Sequence, residues 1–130
     1  MANDIHYFHA HAYPRRLFVV KGKDKGKLVQ GAFTTRDGGE LVVGDAEERL
    51  AGATWKKVIL KDKGWLGVLV WIVQDYSPAS LAHEAVHVTN AIFEELGVDT
   101  DYDHDEHYAY MVQWVTDCLW QVVTGKFKDD

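Results

Sequence analysis

Apolar residues fall in short runs through the first half of the chain and at helical spacing through the second. Residues 17–20 and 27–34 are short apolar runs on either side of the glycine- and lysine-rich segment 21–27, which reads as a solvated hairpin turn. Residues 40–43 follow the Asp37-Gly38-Gly39 turn as another short strand, and residues 46–51 read as a short helix. Residues 55–60 and 65–74 flank Lys61-Asp62-Lys63-Gly64, a second hairpin. Residues 66–73 are apolar throughout, as expected of a strand buried on both faces. Within that strand Trp65 and Trp71 share parity and therefore one face.

The period then changes. Ser77-Pro78 supplies an N-cap and a proline at the first helical position, and Leu96-Gly97 supplies a stop, so a helix is expected from Pro78 to Leu96. Its apolar stripe is Ala82, Ala85, Val86, Thr89, Ile92, Phe93 and Leu96, with His83, His87, Asn90 and Glu94 along the border, at the rim of a core. A second helix opens in Asp103-His104-Asp105-Glu106-His107 and carries Tyr108, Met111, Val112, Val115, Leu119 and Val122 as its stripe. Strands first and helices second is an α+β arrangement, a small, mainly antiparallel sheet followed by two packed helices, and residues 1–130 suit one domain.

The chemistry is concentrated in His83-Glu84-Ala85-Val86-His87, an H-E-x-x-H run inside the first of these helices. Imidazoles at i and i+4 lie about one turn apart on one helix face and can chelate one divalent ion, while the intervening Glu projects beside that ion. A catalytic zinc needs a third protein ligand and an open position for water. Glu106 is the candidate, since its E-x-x-A pattern sets a carboxylate one turn before the small Ala109, which permits close approach to the motif helix. His104 and His107 stay open as alternatives, because Glu106 lies nearly opposite the apolar stripe whereas His104 shares that stripe and His107 flanks it. The Glu106 face continues through Tyr110, Gln113, Asp117 and Trp120, the lining of a cleft. Glu84 is the candidate general base, and Tyr110, Tyr108 or His107 the oxyanion partner. Asp103 and Asp105 are explained by favourable charge at a helix N-terminus.

HEAVH followed by DEHYAYMVQWV resembles the small HExxH…DExxAY proteins encoded by tailed bacteriophages, which are themselves similar to minimal gluzincin-type zinc metallopeptidases. The similarity covers roughly residues 66–123 and is sharpest at the HExxH, at Asp105-Glu106 and at Ala109-Tyr110. It implies a zincin-like domain with His83, His87 and Glu106 as Zn2+ ligands, Glu84 as general base, and a peptide or protein as substrate. A metal-stabilised phage factor that captures a host protein without catalysis is the alternative expectation.

Composition narrows the remaining classes. With 130 residues, 47% hydrophobic content and five tryptophans, the chain can bury a sizeable core. No stretch approaches a membrane span, and residues 1–12 are polar and histidine-rich rather than a signal peptide, so a cytoplasmic protein is expected. Residues 1–75 hold 12 Lys and Arg against 9 Asp and Glu, whereas residues 76–130 hold 2 against 11, so the halves carry +3 and -9 of the net -6. That distribution lacks a continuous basic nucleic-acid surface. Cys118, the single cysteine, excludes an intramolecular disulfide and falls in an apolar stripe as a buried thiol. His6, His9 and His11 read as part of a loose, solvated segment, with Tyr7, Phe8 and Tyr13 packing over the sheet. Dinucleotide, P-loop and serine-elbow signatures are missing from the sequence.

Overall fold

The computed structural model describes residues 4–10, 13–43, 52–73, 77–99 and 101–127. It is α+β, and its contacts cluster into two compact units, Met1–Asp75 and Tyr76–Asp130. The first unit contains β1 (Ile5–His9), β2 (Arg16–Lys21), α1 (Gly26–Ala32), β3 (Phe33–Thr35), β4 (Gly52–Leu60) and β5 (Trp65–Ile72). The second contains α2 (Pro78–Leu96) and α3 (Glu106–Thr124).

The five strands form one sheet in the order β1-β2-β5-β4-β3. Among the described strands β2 and β5 alone run parallel, in a register that sets Phe18 beside Leu69 and Val20 beside Trp71; the other pairs are antiparallel. A parallel pair cannot be closed by a tight turn, so α1, β3 and β4 together serve as the crossover between β2 and β5. The expected hairpin across residues 21–27 is therefore replaced by a turn leading into α1, and residues 27–34 divide between α1 and β3 instead of forming one strand. Helix α1 has no side-chain cap and contains Gly31, so intrinsic propensity favours it little. Tertiary packing decides the matter, with Val29 fully buried against the sheet cluster.

The hairpin β4–β5 forms as expected, its turn closed by the Lys63 and Gly64 amides donating to the Leu60 carbonyl. Residues 40–43 contribute a single bridge, Glu40 with Thr34, while Leu41 beside it is buried. The expected helix at 46–51 lies outside the described residues. Part of the amino-terminal histidine segment, expected to be loose, is a strand: His6 and His9 belong to β1, paired antiparallel with β2 from Ile5↔Val20 to His9↔Arg16. His11 lies outside the described residues.

On one face of the sheet, Phe18, Val20, Leu69 and Trp71 pack with Val29 and Phe33 into a cluster. The opposite-facing Leu17, Val19, Val68, Val70 and Ile72 are buried too, so β2 and β5 are buried on both faces, as continuous apolar runs require. Gly67 permits this packing. A Cβ there would sit 2.2 Å from the Arg16 carbonyl oxygen and 2.8 Å from the Phe18 ring. The polar edge of Trp71 is satisfied by its Nε1–H donating to the Gly22 carbonyl at 2.7 Å.

In the second unit, the Ser77 hydroxyl accepts from the Ser80 amide at 3.1 Å, and Pro78 occupies the first turn of α2. Gly97, at φ 72°, ends the helix, its amide donating to the Glu94 carbonyl while the Val98 amide donates to that of Phe93. Helix α3 begins with no side-chain cap on its amides and ends at Gly125. No helix among the described residues is long and apolar enough to cross a membrane.

Candidate metal centre

The buried face of α2 is Leu81, Ala85, Val88, Thr89, Ala91, Ile92 and Phe93. It is turned relative to the stripe expected from the sequence, because Leu81, Val88 and Ala91 are enclosed while Ala82 and Val86 face solvent. Ala85 and Ile92 mark its centre, and at about 100° per residue His83, His87, Asn90 and Glu94 project from the opposite side. The two histidines thus stand on an exposed ridge and not at the rim of a core. Glu84 lies on the flank between ridge and core and is half-buried. Thr89, the polar member of the buried face, donates its hydroxyl to the Ala85 carbonyl at 2.7 Å within the helix.

Helical spacing brings the histidine pair together. The Nε2 atoms of His83 and His87 are 3.3 Å apart, and the rings meet edge to face with centroids 4.8 Å apart. Two bonds of about 2.0–2.1 Å meeting at a tetrahedral angle subtend roughly 3.3–3.4 Å between ligand nitrogens. The pair therefore has the bite of one tetrahedral ion with both Nε2 atoms already converging. In the absence of an ion the same distance allows one neutral imidazole to donate an N–H to the other, a long contact for such a bond.

Helix α3 presents a different group of side chains to α2 than the sequence favoured. Tyr108 donates its hydroxyl to Asn90 Oδ1 at 2.8 Å. The His107 ring stacks on Phe93 with centroids 5.3 Å apart and planes 26° apart, and Tyr108 meets the same Phe93 edge-on at 5.8 Å. Glu106, at the first helical position, is exposed, and the buried face of α3 (Met111, Val115, Cys118, Leu119, Gln121, Val122) lies on the other side of the helix. Among the described residues no third His, Cys, Asp or Glu is gathered with His83 and His87 into a metal-holding group. His104 is held in the preceding turn, its Nδ1 3.1 Å from Asp101 Oδ2. The Asp103 amide, and secondarily the His104 ring, hold the Asp101 carboxyl below its ordinary pKa.

Tyr110 is 65% exposed and, with Gln113, Trp114 and Asp117, lines a shallow cavity of about 330 Å³ on α3. Three of those four residues belong to the face that helical phase groups with Glu106. The contact that sequence reasoning missed is Asn90 with Tyr108. Its signal was present, since Asn90 follows His87 by three positions on the same ridge and Tyr108 lies within the apolar stripe of the next helix. Comparison of the chain with known protein families, curated proteins and solved structures finds no match.

Proposed function

We propose that the chain is a zinc-dependent hydrolase of peptide or protein substrates, with His83 and His87 as nitrogen ligands, Glu106 as the third ligand and Glu84 as the proton acceptor. The observation that carries this reading is the 3.3 Å between the two Nε2 atoms, which matches a tetrahedral bite without movement of either ring. Imidazole donors suit zinc, and a zinc ion with an open position supplies a water of pKa near about 7 and polarises a substrate carbonyl. Glu84, next to His83 and half-buried, would take the proton of the attacking water and return it to the leaving amine. Tyr110, exposed on α3 beside a shallow cavity, is the proposed donor to the oxyanion. A sheet followed by two helices bearing HExxH and E-x-x-A supports a zincin-like assignment, as does the resemblance to the phage proteins, and with it action in a bacterial host cytoplasm.

The donor set that the fold assembles is two imidazoles, and recruiting Glu106 requires the uncapped first turn of α3 to bring that carboxylate to them. The exposed position of Glu106 favours the second reading, a metal-stabilised protein that binds a host partner without turnover. Glu84→Gln separates the two, because it keeps shape and ligands but removes the proton acceptor. For the hydrolase, zinc-loaded wild type cleaves casein or a peptide library, and Glu84→Gln retains zinc while losing cleavage. Wild type that holds zinc and cleaves neither substrate assigns the chain to the binding class.

A further inference from the structure

One concavity of the first unit lies far in sequence from the histidine helix. It is a cavity of about 710 Å³ walled by β1, α1 and the β4–β5 turn, within the range usual for small-molecule sites. We propose that it binds a small amphipathic anion, an aromatic or aliphatic carboxylate whose apolar body enters the cavity and whose head meets Lys61 and Lys63.

Two observations carry the assignment. The first is Gly31, in the α1 wall. It has no left-handed backbone angle to accommodate, and a Cβ added there would meet no heavy atom within 4 Å. Glycine inside a helix costs about 1 kcal/mol relative to alanine. Among the described residues neither backbone angle nor packing calls for it, and its effect is to leave the helix backbone bare beside the cavity, where a flat ligand can approach closely.

The second observation is how charge and apolar surface are distributed. Tyr7, Leu28 and Leu60 give the cavity an apolar lining, with Tyr7 51% exposed and already packed edge-on against Trp65 at 5.1 Å. Asp4, the acidic group of the β1 wall, is taken up by Lys25 at 3.3 Å. Lys61 and Lys63 border the cavity, and among the described residues no carboxylate pairs with either ammonium group. Lys63 instead leans towards the Trp65 ring, 5.7 Å from its centroid, while Arg16 covers that ring at 4.1 Å. With Lys25 counted beside its partner Asp4, three ammonium groups stand against two carboxylates, so the rim carries a surplus of one positive charge, which favours an anion over a neutral or cationic ligand of the same shape.

Isothermal titration of the full chain with 2-naphthoate, 2-naphthylmethanol and 2-naphthylmethylammonium tests the proposal. One saturable naphthoate site is expected, roughly tenfold tighter than for the alcohol given two exposed ammonium groups, and no site for the ammonium compound. Gly31→Leu fills open space and should abolish binding with the far-ultraviolet dichroism unchanged. Lys61→Gln with Lys63→Gln should bring naphthoate down to the affinity of the alcohol. Should Gly31→Leu fail to fold, Tyr7→Ala carries the same test from an exposed edge-strand position. No saturable naphthoate binding, equal binding of acid and alcohol by wild type, or undiminished affinity in a folded Gly31→Leu or Tyr7→Ala overturns the proposal.

Discussion

If His83 and His87 form a chelate, zinc should stabilise the fold, and the size of the effect follows from mass action. An ion that binds the folded chain alone contributes about 2.7 kcal/mol when its free concentration is a hundred times its dissociation constant. With an unfolding entropy of about 2.1 cal/mol/K per residue near the midpoint, a chain of 130 residues should gain roughly 10 °C in Tm. The 3.3 Å bite means that no side-chain rearrangement has to be subtracted from this gain. Replacing either histidine with alanine removes one of the two converging imidazoles. A hundredfold loss of affinity, the upper end of what loss of a supporting partner costs a metal site, leaves about 0.4 kcal/mol at the same zinc concentration, or less than about 2 °C. Scanning fluorimetry of chelator-treated wild type, His83→Ala and His87→Ala with and without zinc measures all of these values. No shift in wild type would refute the reasoning. So would an equal shift in both variants, since zinc would then be held elsewhere, with the histidines of β1 the first place to look.

Three further outcomes follow from named contacts. Glu106→Gln should weaken zinc binding more than His104→Ala or His107→Ala in a competition titration, and unchanged affinity in Glu106→Gln removes that residue from the ligand set. Gly67→Ala should destabilise the chain by about 1–3 kcal/mol or more, because the added methyl meets backbone, the Arg16 carbonyl oxygen at 2.2 Å; a Tm equal to wild type contradicts the packing described. Burial lowers the His6 pKa below 6.5, only partly offset by Asp4, so the unfolded state binds more protons just below that pH. Stability should accordingly fall as pH drops below 6.5 and be restored above it, and His6→Gln should flatten this slope in urea titrations at graded pH.

The helices were legible because their ends carry local chemistry. Ser77, Pro78 and Gly97 act within a few residues of themselves, and the expected limits of α2 are the limits found. The β4–β5 hairpin was legible for the same reason, a tight polar turn between two apolar runs. The parallel pairing of β2 with β5 was not, because no local signal distinguishes a strand that pairs with its sequence neighbour from one that pairs across a crossover. Helix α1 was hidden by its length and by Gly31. Rotation of α2 about its axis was misjudged because Ala82 and Val86 count as apolar in a periodic pattern, although Leu81 and Val88 offer the larger surfaces to bury. The histidine pair depends only on helical spacing and was readable, whereas the placement of Glu106 depends on how α3 turns against α2.

The charge asymmetry links the two proposed sites through one physical cause. Residues 76–130 carry 11 acidic against 2 basic side chains and include the imidazole pair, so the surrounding field raises the local concentration of cations. Residues 1–75 carry a surplus of basic groups, and two of them border the cavity proposed for an anion. Salt should therefore weaken both encounters, since both sites are exposed and lie within the reach of screening at about 8–10 Å. The losses should be unequal. Coordination by two imidazole nitrogens and the proposed Glu106 carboxylate is short-range and hardly screened, so only the smaller, field-dependent share of zinc affinity should be lost. The lysine contribution to carboxylate binding is Coulombic throughout, so its loss should appear directly in affinity and bring the acid towards the uncharged alcohol.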